Sequence, residues 1–67
     1  MDDTKKNLSK TEIKIVKLLE KGFSNSSISS SCNVSINTVK FHLKNIYRKL
    51  KVHNRVEALY MIKKLKK

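Results

Sequence analysis

Lys40, Lys44, Arg48 and Lys51 follow one another at intervals of four, four and three residues, the spacing that stacks side chains on one face of a helix. Phe41 sits among them. Lysine and arginine in such a row, protonated at neutral pH, offer charge and hydrogen-bond donors. They can displace counterions from a polyphosphate and donate to the N7 and O6 acceptors of guanine. An aromatic in their midst suits a thymine methyl or the wall of a sugar. Asn45 and Lys49 border this face, where phosphate contacts are expected.

No other constellation in the chain supports chemistry of a different kind. His42 flanks an apolar sector with no second ligand beside it, which reads as a structural, hydrogen-bonded histidine and not a metal site. His53 precedes the last helix, either near a phosphate or as an exposed bystander. Cys32 is the single cysteine; it reads as a small core residue, and no internal disulfide is available to it. Catalysis, cofactors and bound metal are therefore not expected, and 67 residues leave little room for both a core and a deep cleft.

The elements that must carry the basic face are legible from caps and periodicity. With no proline and one glycine, the pattern is helical throughout and predicts an all-α fold of four short helices. Ser9-Lys10-Thr11-Glu12 has the form of a capping box and opens the first helix, which stops at Gly22. Its apolar stripe is Ile15, Val16 and Leu19, with Lys14, Lys17, Glu20 and Lys21 outside it, and Phe23 is expected to plug the core after the turn. Ser24 or Asn25 caps the second helix, which ends near Cys32 because Asn33 suits a left-handed stop. Its serines are mediocre helix formers, so Ile28 must hold it through tertiary contact. Ser35 caps a third helix from about Ile36 to Leu50. At about 100° per residue, Val39, Leu43, Ile46 and Leu50 fall in one narrow sector facing the core, opposite the basic face. A short second helix, four turn residues and a long basic third helix have the spacing of a helix-turn-helix.

Asn54-Arg55-Val56-Glu57 repeats the capping arrangement for a fourth helix ending near Leu65. This helix is apolar on two sides. Val56, Leu59 and Tyr60 are expected to cover the core, leaving Ala58, Met61, Ile62 and Leu65 as a second stripe that needs a partner, read as the contact of a weak homodimer. Residues 1–7 are expected to form a disordered tail and residues 8–67 one domain, with the last two lysines frayed.

Sixteen Lys and Arg against five Asp and Glu give a formal charge of +11, which favours a polyanionic partner. Nucleic acid and an anionic membrane both qualify. No apolar run reaches the roughly 20 residues of a membrane span, and the polar start lacks the apolar stretch of a signal peptide, so the chain is expected in the cytoplasm without membrane contact.

The pieces also arrive in a familiar order. Leu8-Ser9-Lys10-Thr11-Glu12, Gly22-Phe23-Ser24-Asn25, Val34-Ser35-Ile36-Asn37-Thr38-Val39-Lys40-Phe41-His42, Asn45-Ile46-Tyr47-Arg48-Lys49-Leu50 with Val52, and Arg55-Val56-Glu57-Ala58 together resemble the LuxR-type domain, also called FixJ-, NarL- or GerE-like, over roughly Leu8 to Leu59. Thr11, Ser27, Ser29 and Cys32 depart from its usual Arg, Glu, Ala and apolar residue. The resemblance implies a four-helix helix-turn-helix of the winged-helix-like class without a wing, in a bacterial transcription regulator associated with the nucleoid. It implies that the third helix enters the major groove of double-stranded DNA and that the fourth makes the dimer. Carried over by position, Lys40, Phe41 and Lys44 would reach base edges, while Asn25, Thr38, Asn45, Arg48, Lys49 and Arg55 would contact the backbone or orient groups that do. RNA polymerase is a further partner for such a regulator. With no receiver, ligand pocket or ATP motif, the chain is either a stand-alone small regulator or an output domain, and Met1 with its short polar tail favours the first. Two rivals stand beside this reading: a cationic helical protein of membrane surfaces, which selective vesicle binding would support, and a protein-interaction domain, in which the lysines of the third helix could be neutralised without loss.

Overall fold

Each helix begins at a serine or asparagine side chain that takes up a free backbone N–H, and those caps set the architecture. The computed structural model describes residues 8–65, in which four helices follow in order: α1 (Lys10–Glu20), α2 (Asn25–Cys32), α3 (Ile36–Leu50) and α4 (Arg55–Leu65). The expected tail over residues 1–7 and the frayed last two lysines lie outside the described residues. At α1 the capping box is complete: Ser9 Oγ accepts from the Glu12 N–H at 3.1 Å, and Glu12 Oε1 accepts from the Ser9 N–H at 2.9 Å. Ser24 and Ser35 cap α2 and α3 by accepting from the N–H groups of Ser27 and Thr38, each at 3.1 Å. At α4 the Asn54 side chain accepts from the Glu57 N–H at 2.9 Å, but the Glu57 carboxylate reaches one residue further back, to the His53 N–H at 2.7 Å.

The stops are left-handed. Gly22 has φ of +84° with open space where a Cβ would stand, so glycine serves conformation here and not close packing. Asn33 adopts φ 58° as the pattern predicts. The third stop falls on Lys51 at φ 60°, a position that no sequence signal marks and that costs a non-glycine residue about 1–2 kcal/mol.

Ile15, Val16 and Leu19 of α1, Ile28 of α2, Val39, Leu43, Ile46 and Leu50 of α3, and Ala58 and Ile62 of α4 close one core. Phe23 and Cys32 pack half-buried at its margin. Ser29, buried in the serine-rich α2, donates its hydroxyl to the Ser26 carbonyl at 2.7 Å, which satisfies the buried polar group within its own helix. With Ile28 fully buried, α2 is held by packing on α1 and α3 and not by its weak intrinsic propensity.

One expectation is corrected here. On α4 the two apolar stripes are exchanged: Ala58 and Ile62, expected outside, are 0% and 5% exposed, while Val56 and Tyr60, expected in the core, are 77% and 66% exposed. Leu59 and Met61 pack half-buried between these faces. The physical reason is the choice of residue at the helix contact. Ala58 lets α4 approach the core closely, and the hydrocarbon of Ile62 needs no partner, whereas the Tyr60 hydroxyl would require one if buried. Tyr60 instead keeps its hydroxyl in water, with the Lys64 ammonium 5.8 Å from its ring centroid.

Candidate nucleic-acid interface

Because Val39, Leu43, Ile46 and Leu50 anchor α3 with exposures of 0–6%, the opposite side of the helix must face outward. Lys40, Phe41, Lys44 and Arg48 are all exposed there, as the periodicity predicts. Phe41 is 61% exposed, with its ring edge-on to the half-buried His42 at a centroid distance of 5.7 Å. An aromatic this open, flanked by cations on a rigid helix, is available to a groove wall or a base edge. The donors are equally rigid in origin, since the Ser35 cap fixes where α3 begins. Thr38, expected at the backbone, stands within that cap, its Oγ1 3.0 Å from Ser35 Oγ.

The fold brings more to this face than α3 alone. A groove runs between the start of α2 and α3, lined by Ser24, Asn25, Ser26, Lys40, Leu43, Lys44, Tyr47 and Arg55. The cap and first turn of α2, Ser24, Asn25 and Ser26, form one wall of this groove, at the end of the helix that favours anions. Asn25 and Arg55, 30 residues apart in the sequence, thus meet Lys40 and Lys44 in one cationic concavity. Arg55 donates through Nη2 to the Phe23 carbonyl, which locks the guanidinium across the turn between α1 and α2 and leaves its other donors for a phosphate.

Tyr47 in this groove escaped the pattern analysis. Burial raises the Tyr47 hydroxyl above its ordinary pKa, with Arg55 opposing, so the phenol stays a neutral donor beside the two lysines. A signal existed: at about 100° per residue, Tyr47 lies about 40° from Leu43, on the border between the core sector and Lys40.

Two expected backbone-contact residues turn out to differ in setting. Asn45 is half-buried on the far flank of α3, and Lys49 is tied to α1, its Nζ 2.7 Å from Glu12 Oε1. Glu12 is buried with 5% side-chain exposure, and Lys49 keeps 35%. Burial alone would raise the Glu12 pKa; the hydrogen bonds from Lys49 and Ser9 and the lysine's charge outweigh it and hold the carboxyl below its usual range. The pair braces α3 against α1 and so sets the pitch of the basic face. Among the described residues no group of three or more His, Cys, Asp or Glu comes together as a metal site, and no helix is long and apolar enough to cross a membrane.

Comparison with known proteins finds one family of relatives. The family model of the bacterial regulatory proteins, luxR family, matches residues 6–62. YhjB of Escherichia coli (strain K12), described as an HTH-type transcriptional regulator, is 42% identical over 57 residues, covering 85% of this chain and 28% of its own. The response regulator protein VraR of Staphylococcus aureus (strain NCTC 8325 / PS 47) is 42% identical over 52 residues, 78% of this chain and 25% of that protein. The chain thus spans about a quarter of the length of these curated relatives. No solved structure matches it.

Proposed function

Since the chain belongs to the luxR family of bacterial regulatory proteins, DNA-binding regulators of transcription with a helix-turn-helix domain, we propose that it reads double-stranded DNA with α3 in the major groove. The observation that carries this reading is the outward row Lys40, Phe41, Lys44 and Arg48 on a helix whose other side is locked into the core. Lys40, Phe41 and Lys44 contact base edges. Asn25, Arg48 and Arg55, with the Tyr47 hydroxyl, hold the phosphate strand along the groove, and Thr38 and Asn45 border it. Lys49 acts by positioning α3 through Glu12. No chemical step is involved: regulation follows from where the protein sits, in the bacterial cytoplasm on the nucleoid, with RNA polymerase as the partner it affects.

The dimer is proposed on the face of α4 that the fold leaves open. Val56 and Tyr60 carry it, with Met61 at its edge; of the four residues first expected there, Ala58 and Ile62 are committed to the core. Lys51 and Glu57 both line the same shallow groove, but each copy carries a net charge of +11, so two copies meet against overall charge repulsion and associate weakly in free solution. DNA supplies the second half-site and neutralises that charge.

Duplex titrations over rising salt test the reading. Each phosphate neutralised contributes about −0.9 to the log–log slope, so a slope of at least about −4 is expected. A nearly flat profile removes the electrostatic basis of the proposal.

A further inference from the structure

A second basic surface lies on α1. Lys10, Lys14, Lys17 and Lys21 are all exposed, and at about 100° per residue they fall within about 60° of one another. The stripe lies on the side of α1 opposite Ile15 and Leu19, which are 0% exposed in the core. Over about 16 Å of helix it presents four ammonium groups, with the exposed Glu20 on its flank about 60° from Lys17. The α3 row is turned outward from the other side of that same core, and the body is 19 Å across in its narrow dimensions.

We propose that the α1 lysine ladder is a second, sequence-independent binding surface for duplex DNA, so that one protein molecule holds a second DNA segment while α3 occupies its site. The composition of the ladder selects this occupant. Interfaces between proteins are depleted in lysine and built around aromatic, Met or Arg anchors, and no exposed large apolar residue lies on α1. A phosphate backbone asks for no such anchor: lysine point charges neutralise it in any sequence. The charge of +11 exceeds what the α3 face alone accounts for. Only the first of the two bound segments rests on the α3 reading.

The test uses the whole chain and a variant carrying K10Q, K14Q, K17Q and K21Q, glutamine being close to lysine in helix propensity. A bead-bound duplex with a selected site is loaded with protein, and capture of a free fluorescent duplex of random sequence is measured at 0.15 M salt. The expected result is capture by the parent, a loss of about tenfold or more in the variant, and affinity for the bead-bound site within about threefold, because the Debye length of about 8 Å is shorter than the body is thick. The paired variants K10Q/K14Q and K17Q/K21Q give intermediate losses and keep the test open if the fourfold variant melts. In a K40Q/K44Q/R48Q background, residual duplex binding should persist, and adding the ladder substitutions should flatten its salt slope by about 2 to 4. Unchanged capture in the ladder variants overturns the inference, as does retention on polyglutamate that the ladder substitutions abolish while capture of DNA stays intact. Failure of the parent to prefer the selected site counts against the α3 reading instead.

Discussion

Lys49→Met removes the ammonium that holds α3 against α1 while keeping most of the hydrocarbon stem. Glu12 is 5% exposed and loses the donor 2.7 Å from its Oε1, keeping the Ser9 N–H at 2.9 Å. Stripping the partner from a fully buried ion pair costs about 3–5 kcal/mol. Lys49 retains 35% exposure and part of its hydration, so the expected loss is smaller, about 2 kcal/mol. For a domain of this size that lowers Tm by about 8–16 °C. The pH dependence identifies the cause. Because the folded Glu12 pKa is lowered below 4.5, the pair's contribution is complete above the unfolded value and is lost as pH falls through the folded one. Parent and variant should therefore differ fully at pH 7 and converge as the carboxyl protonates in both. Thermal unfolding followed by far-UV circular dichroism at pH 7 and in steps below pH 4.5 measures this, and a cycle with Glu12→Gln isolates the coupling. A loss under about 3 °C, or one that persists unchanged in acid, would refute the brace and leave only packing of the stem.

Two further outcomes concern the corrected parts of the fold. Tyr60→Asp should leave Tm nearly unchanged, Tyr60 being 66% exposed, yet abolish cooperative occupation of paired half-sites in gel shifts; Ala58→Asp should unfold the chain, since a carboxylate at a site with 0% exposure has no partner and costs several kcal/mol. Cooperativity that survives Tyr60→Asp would take the dimer off this face. Lys51→Gly should stabilise by about 0.5–1 kcal/mol in chemical denaturation, because the φ of 60° penalises a side chain more than glycine's looser unfolded chain costs.

The helices and the basic row were legible because their signals are local. Ser9, Ser24, Ser35 and Asn54 announce starts, Gly22 and Asn33 announce stops, and the apolar period of α3 leaves one orientation for Lys40, Phe41 and Lys44. What stayed hidden depended on phase and distance. On α4 both sides are apolar, so period alone could not choose between Ala58 with Ile62 and Val56 with Tyr60; the difference lay in the bulk of one residue and the hydroxyl of the other. Glu12 was read as a cap and serves as one, yet its place inside the stripe of Ile15, Val16 and Leu19 also demanded a cation, and Lys49 lies 37 residues away. Arg55 reaches the groove only through the turn that seats it on the Phe23 carbonyl.

Selection of bound sequences from random duplex DNA, run in parallel with the parent chain and with Lys44→Ala, tests most directly whether α3 reads bases. The account predicts a pseudo-palindromic site for the parent and, for the variant, preference relaxed by about 1–3 kcal/mol at one base pair per half-site with the rest retained. An unchanged site in the variant, or uniform weakening across all sequences, would contradict the placement of α3 in the major groove.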